Sequence, residues 1–183
     1  LSSAIEKYSN LFGVACGQKN VLFTNNDSAY ETAISLFQKG INVGAIIDNR
    51  EEVDSKLVKE VEKNNIKIYK GYTVVNTFGY KKINKISIMQ LSKDGQKVVG
   101  SKISIDCDCL GMSGGWTPAV HLFTQSGGKL KFRDEDQVFI PDTYPSDQIS
   151  IGSCNGEFTL DEILSSISKK LKDFLNIKKT EYE

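Results

Sequence analysis

An α/β fold is predicted, with a parallel βαβαβ sheet running into a three-stranded antiparallel β-meander. Two observations predict it. Over residues 21–69, short β-prone apolar runs alternate with stretches of helical apolar spacing, the order of a Rossmann-like parallel sheet. Over residues 72–105 the helical spacing vanishes, and three long β-prone runs follow one another across hairpin-type links.

The first strand is Val21-Leu22-Phe23-Thr24, which breaks into Asn25-Asn26-Asp27-Ser28. A helix follows with Ala29, Ala33, Ile34 and Phe37 on one face, Asp27 or Ser28 as its N-cap and Gly40 as its stop. Residues 43–47 form a second buried-type strand ending at Asp48, and Val53, Leu57, Val58 and Val61 mark a second helix. Ile66-Lys67-Ile68-Tyr69 is the third strand. The meander takes residues 72–78, 83–91 and 98–105, its second link, Lys93-Asp94-Gly95-Gln96, being a hairpin turn. Residues 106–110 then rejoin the parallel sheet. A parallel βαβαβ unit plus a β-meander is the plan of the glutathione-reductase-like FAD/NAD(P)-binding fold.

The stretch 111–129 (GMSGGWTPAVHLFTQSGGK) holds the only Trp and the only His and is dense in glycine. It reads as a crossing between two lobes, with Trp116 and His121 packing the junction. Beyond it, residues 131–136 form a charged loop or hairpin edge, and residues 148–153 a short strand. Thr159-Leu160-Asp161-Glu162 is a capping box. It opens a helix whose Leu160, Ile163, Leu164, Ile167, Leu171 and Phe174 make one apolar stripe, which calls for a partner surface. Two domains are expected: 1–118, a second nucleotide-binding-like domain of the pyridine nucleotide-disulfide oxidoreductase type, and 119–183, a return segment into a first NAD-binding domain otherwise absent from the chain.

The 23 basic and 23 acidic residues cancel, which argues against nucleic acid or an anionic membrane as partner. No apolar run approaches the length of a membrane span. The opening LSSAIEKYSN lacks the basic and apolar regions of a secretory leader. Cys16, Cys107, Cys109 and Cys154 form no C-x-x-C pair, and with one His they complete no zinc set. Cys107 and Cys109, two apart in a strand pattern, are expected on one face, and buried reduced thiols of a cytoplasmic protein are the simplest reading.

In this fold, phosphate sits on the first βα turn, at the N–H groups of the helix N-terminus. Here that turn is Asn25-Asn26-Asp27, with no glycine, and Asp27 brings negative charge and caps the helix itself. Asp48, about 20 residues on, stands where a ribose-binding acid would. An acid without glycines points to a vestigial site. The turn 152–156 (GSCNG) is the better ligand candidate, although an ordinary βα connection with Gly156 left-handed explains it equally. His121 lies in an apolar run without a nucleophile motif. No catalytic residue and no metal ligand is assigned.

Three motifs carry a family resemblance: 21–30 (VLFTNNDSAY), 111–129 and 152–160 (GSCNGEFTL), with 8–17 (YSNLFGVACG) also similar. Together they resemble the alpha (large) subunit of heterotetrameric sarcosine oxidase, of which the chain looks like an internal slice. The resemblance implies oxidative demethylation of sarcosine to glycine, with one-carbon transfer to tetrahydrofolate. It implies NAD bound to the alpha subunit, FAD and FMN in the full complex but not on this slice, and beta, gamma and delta subunits as partners. It also implies that NAD contacts made by this slice come from Cys154, Asn155, Leu160 and Glu162. Two alternatives stay open: the alpha subunit of another flavin-dependent amine or amino-acid dehydrogenase, or a non-catalytic interaction module with a vestigial nucleotide fold.

Overall fold

A computed structural model of the chain describes residues 1–145 and 148–175. The chain divides into two compact units, Leu1–Gly115 and Trp116–Glu183, and the break falls inside the glycine-rich stretch. The first unit holds α1 (Ser2–Phe12), β1 (Asn20–Thr24), α2 (Ser28–Gln38), β2 (Val43–Asp48), α3 (Lys56–Lys63) and β3 (Lys67–Lys70). It continues with β4 (Tyr72–Gly79), β5 (Ile83–Leu91), β6 (Val98–Asp106) and β7 (Cys109–Ser113). The second unit holds α4 (His121–Gln125), β8 (Lys129–Arg133), β9 (Val138–Thr143), a 3₁₀ turn at Gly152–Asn155 and α5 (Leu160–Phe174).

In the first unit the parallel sheet has the order β3-β2-β1-β7, and β4-β5-β6 form the antiparallel meander. The expected fold class is therefore present, including the return to the parallel sheet after the meander. Strand alternation separates the core into two faces. Leu22 and Ile46 pack with Ala29, Tyr30, Ala33, Leu36, Val58 and Val61 on the helical side. Val21, Ala45 and Ile47 pack with Ile86 and Ile88 of the meander on the other. Continuous apolar strands such as VLFT and GAIID are what a sheet covered on both faces requires.

Three sequence expectations need correction. Residues 148–151 form no strand, and residues 152–155 coil into a 3₁₀ turn, because Gly152 is left-handed at φ 77° and cannot extend the chain. Cys107 and Cys109 do not share a face. The chain leaves β6 before Cys107 and enters β7 at Cys109, so Cys107 packs on the meander side and Cys109 on the helical side. Phe37, assigned to the apolar face of α2, is 43% exposed. Trp116 is 60% exposed and His121 is exposed at the start of α4. Gly40 ends α2 as expected, in a left-handed conformation that returns the Ile41 N–H to the Leu36 carbonyl.

The helix α1 was not anticipated. Its face toward the unit is Ser2, Ile5 and Ser9, too small and polar a stripe to stand out in sequence. The small residues let it lie close over β7. A Cβ at Gly111 would come within 2.7 Å of Ile5 Cδ1 and Leu22 Cδ2. Gly111→Ala should therefore cost the first unit about 1–3 kcal/mol by overpacking, read as a lowered urea midpoint with unchanged slope.

Candidate functional site

Two places were singled out as candidate ligand sites, and each lies within one unit. The first is the C-terminal edge of the parallel sheet, where β1 has β2 on one side and β7 on the other. This is the switch point at which sheets of this class bind ligands. β1 ends at Thr24, β7 at Ser113 and β2 at Asp48.

The turn between β1 and α2 is filled by its own side chains. Thr24 Oγ1 donates to the Asn26 carbonyl at 2.8 Å and accepts the Asn26 N–H at 3.0 Å. Asn26 Oδ1 accepts the Ser28 N–H at 3.1 Å and the Ser28 hydroxyl at 2.6 Å. Asn26 Nδ2 donates to the Ser113 carbonyl at 3.1 Å, which stitches the turn to β7. A cavity of about 80 Å³ remains beside it, lined by residues of all three strand ends, including Thr24, Asn25, Asn49 and Ser113. Asn49 Oδ1 is buried with no hydrogen-bond partner.

Asp27 occupies the N-cap position but does not cap. Its backbone is helical (φ −77°, ψ −16°) and its side chain makes no cap bond. The Ser28 N–H, the first of the helix, is served by Asn26 instead, and the Asp27 carboxylate reaches Arg50 Nη2 at 2.8 Å. The expected cap is thus an ion pair. Asp48 is fully buried and surrounded by donors. Its Oδ2 accepts the Tyr30 hydroxyl at 2.9 Å and Arg50 Nη2 at 2.8 Å. Its Oδ1 accepts the Arg50 N–H at 2.9 Å and Nε at 3.1 Å. Burial, with Asp48 beside it, pushes the Tyr30 phenol well above its ordinary range. Hydrogen bonding to Asp48, helped by Asp27, keeps Arg50 more firmly protonated than usual against the opposing cost of burial. Asp48 therefore does not project toward a ribose.

Arg50 and Tyr30 were missed by the sequence reading. A signal existed for the first: a lone cation two residues after an acid that ends a fully apolar strand. None existed for Tyr30, which reads as another apolar position of α2.

The second place is the turn before α5. Cys154 Sγ donates to the Ile151 carbonyl at 3.0 Å. Asn155 Oδ1 accepts the Tyr144 hydroxyl at 3.1 Å, and its Nδ2 donates to Glu157 Oε1 at 3.0 Å. Glu162 completes the expected capping box, with Oε2 accepting the Phe158 and Thr159 N–H groups at 3.1 and 3.0 Å. Leu160 is 68% exposed. The four residues thus fall in two pairs on consecutive turns, and Glu162 alone of them lines an open cleft of about 480 Å³ together with Arg133, Asp136 and Glu157.

Glu157 is the organising group here. Its carboxylate accepts Gly152 N–H at 3.0 Å, Asn155 Nδ2, the Ser166 hydroxyl at 2.8 Å and the Lys170 ammonium. Burial pushes this carboxyl up, but the Lys170, Ser166, Gly152 and Asn155 donors outweigh it and hold the pKa at about 2. No residue of α5 is buried, so these bonds carry much of its attachment.

The sheet order, the covered meander face and the edge crevice define one lobe of an FAD/NAD(P)-binding disulfide-reductase fold. Solved structures agree. A thioredoxin reductase from T. acidophilum superposes with TM-score 0.65 at 20% identity, over 95% of this chain and 54% of that one. The flavoprotein disulfide reductase RclA from Escherichia coli superposes with TM-score 0.60 at 13% identity, over 88% and 36%. By sequence the chain belongs to the sarcosine oxidase subunit alpha family. It is 30% identical over 168 residues to that subunit of Corynebacterium sp. (strain P-1), and 30% identical over 156 residues to that of strain U-96. These alignments take 91% and 85% of this chain, which spans only 17% and 16% of the relatives' length. No family model matches the chain.

Two outcomes test these geometries. Arg50→Met leaves Asp48 buried without its cation and should destabilise the first unit by roughly 2–3 kcal/mol, less than for a fully buried pair because the guanidinium is partly exposed; chemical denaturation measures it. For Glu157, whose pKa is lowered on folding, the stability it contributes is complete above the ordinary carboxyl value near 4.5. It drains away as the pH falls toward about 2. Glu157→Gln should flatten that acid limb in near-UV circular dichroism, and an unchanged limb would show that Glu157 is not the titrating group.

Proposed function

We propose that the chain acts as a nucleotide-domain scaffold within the alpha subunit of a flavin-dependent sarcosine oxidase, and carries no catalytic residue itself. The observation that supports this most is the 30% identity to sarcosine oxidase subunit alpha across 91% of the chain. On this reading, Leu1–Gly115 is the second nucleotide-binding-like domain, and the unit from Trp116 onward is the return segment into a first, NAD-binding domain. The whole enzyme would demethylate sarcosine oxidatively to glycine and pass the one-carbon unit to tetrahydrofolate. Its FAD and FMN, and the beta, gamma and delta subunits, lie outside this chain's own chemistry. The setting is cytoplasmic; among the described residues no helix is long and apolar enough to cross a membrane.

Cys154, Asn155, Leu160 and Glu162 are the residues proposed to border NAD. The chemistry around them fits one part of such a ligand. Asp161 and Glu162 concentrate carboxylates in the first turn of α5, where ribose hydroxyls find acceptors and a pyrophosphate is repelled. This segment therefore serves the sugar side of NAD, and the phosphates belong to a glycine-rich turn elsewhere in the subunit. Bound NAD would supply a resident dinucleotide. The chain's part is to hold it through the turn that Glu157 keeps rigid.

Asn155→Ala in the full-length alpha subunit should lower the NAD retained per polypeptide, with affinity reduced about tenfold. The ratio is measured on the purified subunit after gel filtration, and undiminished NAD in a normally folded variant would remove Asn155 from the site.

A further inference from the structure

A dinucleotide bound to the first unit would lie across the sheet edge between β1 and β7. Its pyrophosphate would rest on the N–H groups opening α2 and its ribose at the end of β2. The residues there do not fit one. The Ser28 N–H is already taken by Asn26, and Asn26 is bonded across to Ser113. The remaining 80 Å³ falls well short of the several hundred Å³ that ligand pockets of this kind enclose.

One element of a nucleotide site is nonetheless in place. Arg50 stands two residues beyond β2, where this topology puts a guanidinium on a ribose 2′-phosphate. Its Nη2 bridges Asp48 and Asp27, both at 2.8 Å. Asp48 is buried and needs the cation. Asp27 is 42% exposed and does not. Its conformation shows what it is for. Ser55 and Thr159, the N-cap residues of α3 and α5, are extended and make cap bonds through their side chains. Asp27 forgoes that bond and turns to Arg50 instead. Capping of this kind is ordinarily worth about 1 kcal/mol.

We propose that Arg50 marks a retained phosphomonoester position which the chain's own Asp27 carboxylate occupies. The lobe is closed to dinucleotides by an internal anion as well as by a filled turn, while the cation that would receive a phosphate is kept because buried Asp48 requires it. Two carboxylates on one guanidinium leave the edge net negative, so a further anion is repelled until Asp27 is removed. This does not rest on the activity proposed above: it concerns the first unit alone and holds for any protein of this fold with these residues.

The test titrates 2′,5′-ADP and 5′-AMP, which lacks the 2′-phosphate, into the 183-residue chain and its Asp27→Gly variant, following the Arg50 Nε–H signal by NMR. The unmodified chain should give no saturable shift up to about 10 mM of either compound. Asp27→Gly should bind 2′,5′-ADP with a Kd of about 1 mM or lower, and 5′-AMP at least tenfold more weakly. Sub-millimolar binding of 2′,5′-ADP by the unmodified chain would overturn the proposal. So would a folded Asp27→Gly variant that binds neither compound, or both equally. Should Asp27→Gly not fold, Asp27→Asn, which removes the charge and keeps the side-chain volume, is read by the same criteria.

Discussion

A carboxylate with no exposed surface, Asp48 at the end of β2, constrains the first unit more than any other single group. Removing an ion from water costs several kcal/mol unless its lone pairs are met by donors and its charge by a cation. Asp48 meets this requirement with four donors from two residues, Tyr30 on α2 and Arg50 just beyond its own strand. Satisfying them fixes how far α2 stands from the sheet and which way the chain turns on leaving β2. Asp27 follows, because Arg50 draws it away from the helix it would otherwise cap. One desolvated charge thereby orders the whole C-terminal edge.

The position of β1 makes that edge a single structure. Paired in parallel with β2 and with β7, it brings together three strand ends that are far apart in sequence. Asn26 and Ser113 close the seam on one side, and Arg50 spans it on the other. This sheet uses the positions at its edge for contacts with itself.

Most of the first unit was legible in sequence because its strands are buried on both faces and separated by helices of clear period. The meander was equally plain, its hairpin link at 93–96 being ordinary turn chemistry. The errors have a common physical origin. Residue type states what a side chain can do, and the partner it finds decides what it does. Asp27 looks like a cap until Arg50 is placed within reach, Asp48 looks like a ribose ligand until Tyr30 folds over it, and α1 hides because serines make its buried face. Around 152–162 the capping box was readable locally. Glu157 became a hub only through Ser166 and Lys170, two and three turns into α5.

That hub has a further consequence. The first unit is held by apolar faces, whereas α5 leans on one carboxylate and its donors and has no buried residue of its own. Simple salts do not screen apolar contacts, while partly exposed charge pairs are screened by them. The two parts of this chain therefore answer to different solvents. Urea, which solvates apolar and peptide groups, loosens the sheet, and added salt loosens the terminal helix while leaving the sheet intact.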